Sequence, residues 1–126
     1  MDHSPGFLKI VEHASKNVRE VSVADAQAKM KSGVPVFDVR EDLEYSAGHA
    51  KGARHLGKGI IERDIEKTVP DKSAEMILYC GGGFRSALAA DALQKMGYTN
   101  VWSMAGGWRA WNEAGAPVEQ AATRAC

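Results

Sequence analysis

Short apolar runs and stretches of helical periodicity follow one another along this 126-residue chain. Residues 34–39 and 76–79 form two apolar runs with branched and aromatic side chains, which predict buried strands. Residues 86–96 place apolar side chains at helical spacing, and Gly97 ends that predicted helix. A further strand over residues 98–104 and a helix over residues 107–114 follow.

Weaker patterns predict the remaining elements. They are an amphipathic helix over residues 7–19, a helix that begins after Ser22 and ends at Gly33, a short helix over residues 41–47, a short strand near His55, and a helix over residues 60–67. Strands that alternate with helices predict an α/β domain with a parallel sheet covered on both faces. In such sheets, ligands bind beyond the carboxyl ends of the strands.

Composition restricts the possible classes of protein. The chain is 44% hydrophobic and 25% charged, as expected for one globular domain. Sixteen basic residues balance sixteen acidic ones, so charge gives no reason to expect nucleic acid or an anionic membrane as a partner. No apolar run approaches the roughly 20 residues of a membrane span, and the N-terminus lacks a signal-peptide pattern. We therefore expect a cytoplasmic protein.

The segment from Tyr79 to Ser86 reads YCGGGFRS and carries the most specific chemistry in the sequence. It connects a predicted strand to a predicted helix, so its successive N–H groups can curl into an anion-binding nest. Cys80 at the mouth of such a nest favours its thiolate form, and Arg85 adds a cation. The alternative is a small buried cysteine beside an ordinary glycine turn. No second ligand stands at metal-site spacing, and the Lys-Ser/Thr ending of a Walker loop is missing.

Several other residues are candidates for this edge of the sheet. Asp38 and Arg40 follow the strand over residues 34–39, where they either line the pocket or brace neighbouring loops by an ion pair. Phe84 is expected to shape the rim of the cysteine loop. Trp108 and Trp111 lie three residues apart, and we expect both to pack in the core rather than to form a substrate cage.

The chain resembles the rhodanese (thiosulfate sulfurtransferase) family from about residue 21 to residue 118. The resemblance is carried by these segments: FDVRE from Phe37 with Glu44, Gly48-His49, Gly52-Ala53, the Cys80 loop, GYTNV from Gly97, and GGW from Gly106 with Trp111. It implies a three-layer domain with a mostly parallel five-stranded central sheet and helices on both faces. It also implies an N-terminal helical extension over residues 1–20, a rhodanese domain over residues 21–118 and a C-terminal tail over residues 119–126.

The same resemblance implies a sulfurtransferase that carries sulfur as a persulfide on Cys80. The loop residues Gly81, Gly82, Gly83, Phe84, Arg85 and Ser86 are then expected to bind the persulfide, with Arg85 stabilising an anionic sulfur donor. Asp38 and Arg40 support the site, His49 is structural, and no cofactor or metal is implied. The expected partners are a small anionic sulfur donor and a thiol acceptor or thiol protein, and the chain is a monomer or a homodimer.

Two other classes of function remain open. The domain is either a persulfide relay or binding module for a partner protein, or a phosphatase or arsenate reductase, which in related domains has a longer loop. Cys126, the other cysteine, is expected to be a terminal thiol, with the alternative that it resolves an oxidised Cys80.

Overall fold

The computed structural model describes residues 3–120 of the chain. Its helices are α1 (Pro5–Ser15), α2 (Val23–Lys31), α3 (Asp42–Ala47), α4 (Ile61–Thr68), α5 (Phe84–Lys95) and α6 (Gly107–Glu113). Its strands are β1 (Arg19–Val21), β2 (Val36–Asp38), β3 (His49–Ala50), β4 (Arg54–His55), β5 (Met76–Tyr79), β6 (Val101–Met104) and β7 (Val118–Glu119).

Five strands form one parallel sheet in the order β1-β6-β5-β2-β4. The most apolar strand, β5, is therefore the central one, and all four of its residues are buried. The predicted α/β class with a five-stranded parallel sheet is confirmed. The short strands β3 and β7 pair antiparallel in a separate sheet.

The pleat of β5 divides the core into two layers of side chains. Met76 and Leu78 pack with residues of α4 and α5 on one face of the sheet. Ile77 and Tyr79 pack with residues of α2 and α6 on the other face, as alternation along a strand requires. Cys80 continues the first series and lies on the α5 side. The strand thus fixes the face from which the cysteine is presented.

Serine side chains cap the N-termini of α1 and α2 and define where these helices begin. The Ser22 side chain accepts a hydrogen bond from the Asp25 amide at 3.1 Å and begins α2, as the capping pattern predicts. At the N-terminus, Ser4 caps α1 in the same manner through the Phe7 amide. Helix α1 then packs against α5, the helix that follows the cysteine loop.

The largest differences from the predicted boundaries are near the N-terminus and before β6. The amphipathic helix predicted over residues 7–19 ends at Ser15, and the chain enters the sheet as β1 at Arg19. The strand predicted from residue 98 begins at Val101. Strands β1, β3 and β7 escape prediction because none of them lies in an apolar run of the sequence. Across residues 3–120, no helix has the length and apolar character that crossing a membrane requires.

We predict that Tyr79→Phe destabilises the fold. The fully buried Tyr79 hydroxyl donates to Asp38 Oδ2 at 2.6 Å and accepts from the Ala50 amide at 3.0 Å. Burial also raises the pKa of Tyr79, so the hydroxyl stays protonated. Removing it leaves a buried amide without its acceptor, which costs about 1–3 kcal/mol in the free energy of unfolding. Urea denaturation measures this loss.

Tyr98→Phe is the matched control, since the Tyr98 hydroxyl makes one hydrogen bond within residues 3–120, which it donates to the Val69 carbonyl oxygen. A Tyr79→Phe variant that is as stable as the Tyr98→Phe variant contradicts the expectation.

Candidate active site

The cysteine loop lies between β5 and α5, at the carboxyl end of the central strand. Cys80 is 1% exposed, and the helix begins four residues later at Phe84. Its Sγ atom accepts a hydrogen bond from the Gly83 amide at 3.1 Å and lies 3.6 Å from the Ser86 hydroxyl. The sulfur therefore accepts from one loop amide, and the Cys80 thiol donates to the Ser86 hydroxyl.

Most of the loop amides point to no acceptor. Within residues 3–120, hydrogen-bond acceptors are missing for the amides of Gly81, Gly82, Phe84, Arg85 and Ser86. Three of these belong to the first turn of α5, which has no side-chain cap, so they are the orphan donors of a helix N-terminus. Such donors stabilise negative charge placed on or beside the cysteine sulfur.

Helix α6 determines the direction in which the remaining loop amides point. The amide of Trp108 donates to the Cys80 carbonyl at 2.7 Å, and the amide of Arg109 donates to the Gly81 carbonyl at 3.1 Å. In a trans peptide, the C=O and the following N–H point in opposite directions. The amides of Gly81 and Gly82 are therefore directed away from α6, toward the face of the sheet on which Cys80 lies.

Glycine is required at two positions of this arrangement. Gly83 has φ +107°, a left-handed conformation that side chains disfavour, and it is the residue whose amide contacts the sulfur. Gly107 has φ +52°, and a Cβ atom there would collide with the Cys80 carbonyl oxygen. Gly82, by contrast, has open space around its Cα atom. Of the three consecutive glycines, the backbone conformation demands the last.

Arg85 is held by a carboxylate. Its two terminal nitrogens donate to the two oxygens of Glu44 at 2.7 and 3.0 Å. The hydrogen bonds from Arg85 lower the pKa of Glu44 from 4.5 to about 2, so the pair is fully ionised near neutral pH. Arg85 thus brings a fixed donor fork to the loop, but the pair has no net charge.

Asp38 and Arg40 form a buried ion pair behind the loop. Arg40 Nη2 lies 2.8 Å from Asp38 Oδ2 and also donates to the Gly48 carbonyl oxygen. The Tyr79 hydroxyl contacts the same carboxylate. Neither Asp38 nor Arg40 lines the pocket above the sulfur, so the structure places them as a brace between β2, β5 and the loop before β3.

His49 is also structural in its contacts, as the sequence suggests. The imidazole is buried, stacks on Tyr45 with ring centroids 3.8 Å apart, and shares a hydrogen bond with the Tyr45 carbonyl oxygen. Cys126 lies outside the described residues.

A pocket of about 860 Å³ opens above the cysteine. Its walls contain both aromatic and charged side chains. The lining residues are His3, Phe7, Glu44, Cys80, Gly81, Gly82, Phe84, Arg85, Trp108 and Arg109. Phe84 contributes to the rim as expected, with its ring centroid 4.9 Å from that of His3.

The tryptophans do not share one environment. Trp111 is 2% exposed and packs in the core, as predicted. Trp108 is half-buried; its side chain packs against the same core cluster and also lines the pocket. The Arg40 guanidinium lies over this ring at 4.8 Å and holds it from behind.

Sequence reasoning assigned no role to several residues that the fold brings to the site. Phe7 lies on α1, and His3 precedes the residue that caps this helix. Ser103 on β6 shares a hydrogen bond with Ser86 at 2.8 Å. These contacts join residues far apart in the chain, and no local pattern signals them. Glu44, the partner of Arg85, drew attention in the sequence only because it belongs to a segment that resembles the rhodanese family.

We predict that Gly107→Ala impairs the site more than it destabilises the fold. The new methyl group pushes on the Cys80 carbonyl and displaces the amides that face the sulfur. We expect at least a tenfold loss of Cys80-dependent activity, since one misdirected donor at a site of developing charge costs about 10²–10³ in rate. Gly59→Ala is the control, because a Cβ atom there meets nothing within 4 Å. Equal activity of the two variants contradicts the expectation.

The sequence matches a known protein family over most of its length. The rhodanese-like domain family matches residues 22–114. The thiosulfate sulfurtransferase GlpE of Haemophilus influenzae strain PittEE is 31% identical over 103 residues, which are 82% of this chain and 96% of that protein.

Two solved structures share the fold. One, from Rhodopseudomonas palustris CGA009, is described as a protein of unknown function and possible tyrosine phosphatase. It is 31% identical to this chain with a TM-score of 0.83, and the match covers 94% of this chain and 98% of that one. The polysulfide-sulfur transferase homodimer of Wolinella succinogenes is 25% identical with a TM-score of 0.77, covering 92% of this chain and 88% of that one. The chain belongs to the rhodanese-like domain family, and its similarity to named sulfurtransferases makes it a sulfurtransferase at the level of the family.

Proposed function

We propose that this protein moves a sulfane sulfur from thiosulfate to a thiophilic acceptor through a persulfide on Cys80. The observation that carries the proposal is the group of loop amides around a buried cysteine sulfur, most of them without an acceptor within residues 3–120. A persulfide anion is small enough to enter this cradle and has the charge that such donors stabilise.

The first half-reaction loads the cysteine. The Cys80 thiolate attacks the outer sulfur of thiosulfate, a new S–S bond forms, and the S–S bond of thiosulfate breaks. The electron pair leaves with sulfite. The products, Cys80 persulfide and sulfite, carry the same total charge as the reactants.

The second half-reaction returns the free thiolate. An acceptor such as cyanide attacks the outer sulfur of the persulfide and leaves as thiocyanate, while a thiol or thiol protein is the expected cellular acceptor. A covalent intermediate between two separate substrates implies ping-pong kinetics. The attacking groups are anions, so the reaction proceeds without a general base, which agrees with the structural contacts of His49.

The loop side chains have separate roles in this proposal. The Ser86 hydroxyl shares a hydrogen bond with Ser103 at 2.8 Å, donates to the Gly83 carbonyl oxygen at 3.2 Å and accepts from the Cys80 thiol at 3.6 Å. When the sulfur is charged and has no hydrogen to donate, this hydroxyl can rotate to donate to it. Arg85 keeps three N–H groups beyond the two that Glu44 accepts, and these are available to an anion in the pocket. Phe84 shields the persulfide from water at the rim.

We predict that thiosulfate adds one sulfur atom to the protein and that Cys80→Ser prevents the addition. The serine hydroxyl is not ionised at neutral pH and forms no persulfide. Intact-mass spectrometry before and after thiosulfate, and again after cyanide, follows loading and unloading. A serine variant that still produces thiocyanate at the wild-type rate would falsify the assignment of Cys80.

The same loop separates sulfur transfer from phosphate hydrolysis. Four residues lie between Cys80 and Arg85, and the Gly83 amide is already 3.1 Å from the sulfur. Donors must stand about 2.7–3.1 Å from the developing charge, so a ring this close to Sγ has space for one more sulfur but crowds the three equatorial oxygens of a phosphoryl group.

We therefore predict thiosulfate sulfurtransferase activity and negligible hydrolysis of an aryl phosphate. Both assays are run on one preparation, with Cys80→Ser as the blank. Cys80-dependent phosphate release at a rate comparable to sulfur transfer contradicts this prediction and favours the activity suggested for the Rhodopseudomonas palustris protein.

A further inference from the structure

The pocket above Cys80 contains three side chains that are charged at neutral pH: Glu44, Arg85 and Arg109. The first two form a bidentate ion pair, and their charges cancel. Arg109 therefore determines the net charge of the pocket walls. This matters because the proposed donor is a dianion and the attacking group is itself an anion, so the two repel each other in an uncharged pocket.

Arg109 is tied to the loop by its backbone and not by its side chain. Its amide donates to the Gly81 carbonyl at 3.1 Å, which places its Cα atom directly beside the cysteine loop. Its side chain is exposed and lines the pocket. The ion pairs formed among residues 3–120 involve other cations, so the guanidinium is available to a ligand.

We propose that Arg109 binds the oxygen end of the anionic sulfur donor and selects for such donors. The inference rests on the proposed function. The outer sulfur of thiosulfate must approach Cys80 Sγ, so the three oxygens remain on the pocket side, which Arg109 lines. A guanidinium offers a planar fork of donors to an oxyanion, and it also stabilises the sulfite that leaves.

The proposal assigns different roles to the two arginines. Arg85 is oriented and neutralised by Glu44 and belongs to the wall that surrounds the transferred sulfur. Arg109 supplies the unbalanced charge that attracts the donor. Arg109 should therefore affect loading of Cys80 by thiosulfate far more than unloading of the persulfide by dithiothreitol, whose attacking thiolate has a single charge and no oxyanion end for a guanidinium to bind.

The test measures the two half-reactions separately by intact mass after an acid quench. We expect Arg109→Ala to slow loading by thiosulfate about three- to tenfold, the effect of one partly solvated charge contact. Arg109→Lys should retain most of the rate and Arg109→Glu should lose more than Arg109→Ala. Unloading by dithiothreitol, which is oxidised to its disulfide while the sulfane sulfur leaves as hydrogen sulfide, should change by less than about twofold in Arg109→Ala, since its thiolate has one charge and no oxyanion end.

Two controls isolate the local charge. Arg63→Glu changes the total charge as much as Arg109→Glu does, but Arg63 lies on α4 outside the pocket, paired with Asp64. Its loading rate should equal that of the wild type. Added potassium chloride should slow loading of the wild-type protein, because salt screens the attraction of the donor to Arg109, and should not slow Arg109→Ala, in which salt screens only the repulsion between two anions.

Equal loading rates for the wild type, Arg109→Ala and Arg109→Glu overturn the inference. So does an equal slowing of loading and unloading, because it shows that the substitutions disturb the loop. A wild-type protein that acquires no sulfur from thiosulfate contradicts instead the proposed function. That result is distinct, since it appears without any substitution at Arg109.

Discussion

Two hydrogen bonds from α6 to the carbonyls of Cys80 and Gly81 control the chemistry of the site. They fix the peptide planes that follow Cys80 and Gly81, so that the amides of Gly81 and Gly82 point away from α6. The close approach depends on Gly107, whose missing side chain leaves space for the Cys80 carbonyl. Because α6 also carries Arg109 and Trp108, the same contact that orients the loop places two walls of the pocket.

The central strand β5 connects this loop to the stability of the fold. Its pleat directs Cys80 to the α5 face and Tyr79 to the opposite face. There the tyrosine hydroxyl donates to the carboxylate of the buried Asp38–Arg40 pair, and the arginine of that pair also donates to the Gly48 carbonyl oxygen. A buried charge pair is stable only when its remaining polar atoms are satisfied. Tyr79, the last residue of the strand, therefore supports the fold, and Cys80, the residue after it, lines the pocket.

Much of the fold and the position of the cysteine could be predicted from the sequence, because both depend on local patterns. The apolar run over residues 76–79, the cap at Ser22 and the glycines before α5 each act within a few neighbours. The strands β1, β3 and β7 depend on pairing with distant segments and escaped prediction. The Glu44–Arg85 pair joins residues 41 positions apart, and the pocket wall formed by His3 and Phe7 depends on how α1 packs against α5.

The central claim is that the loop amides hold the charged persulfide, and amide NMR tests it most directly. In a ¹⁵N-labelled sample, thiosulfate should shift the amide proton resonances of residues 81–86 downfield, because a hydrogen bond to an anion deshields its proton. Dithiothreitol should reverse the shifts, and the amides of α4 should not move. A protein whose mass shows the added sulfur while these loop resonances stay in place contradicts the account.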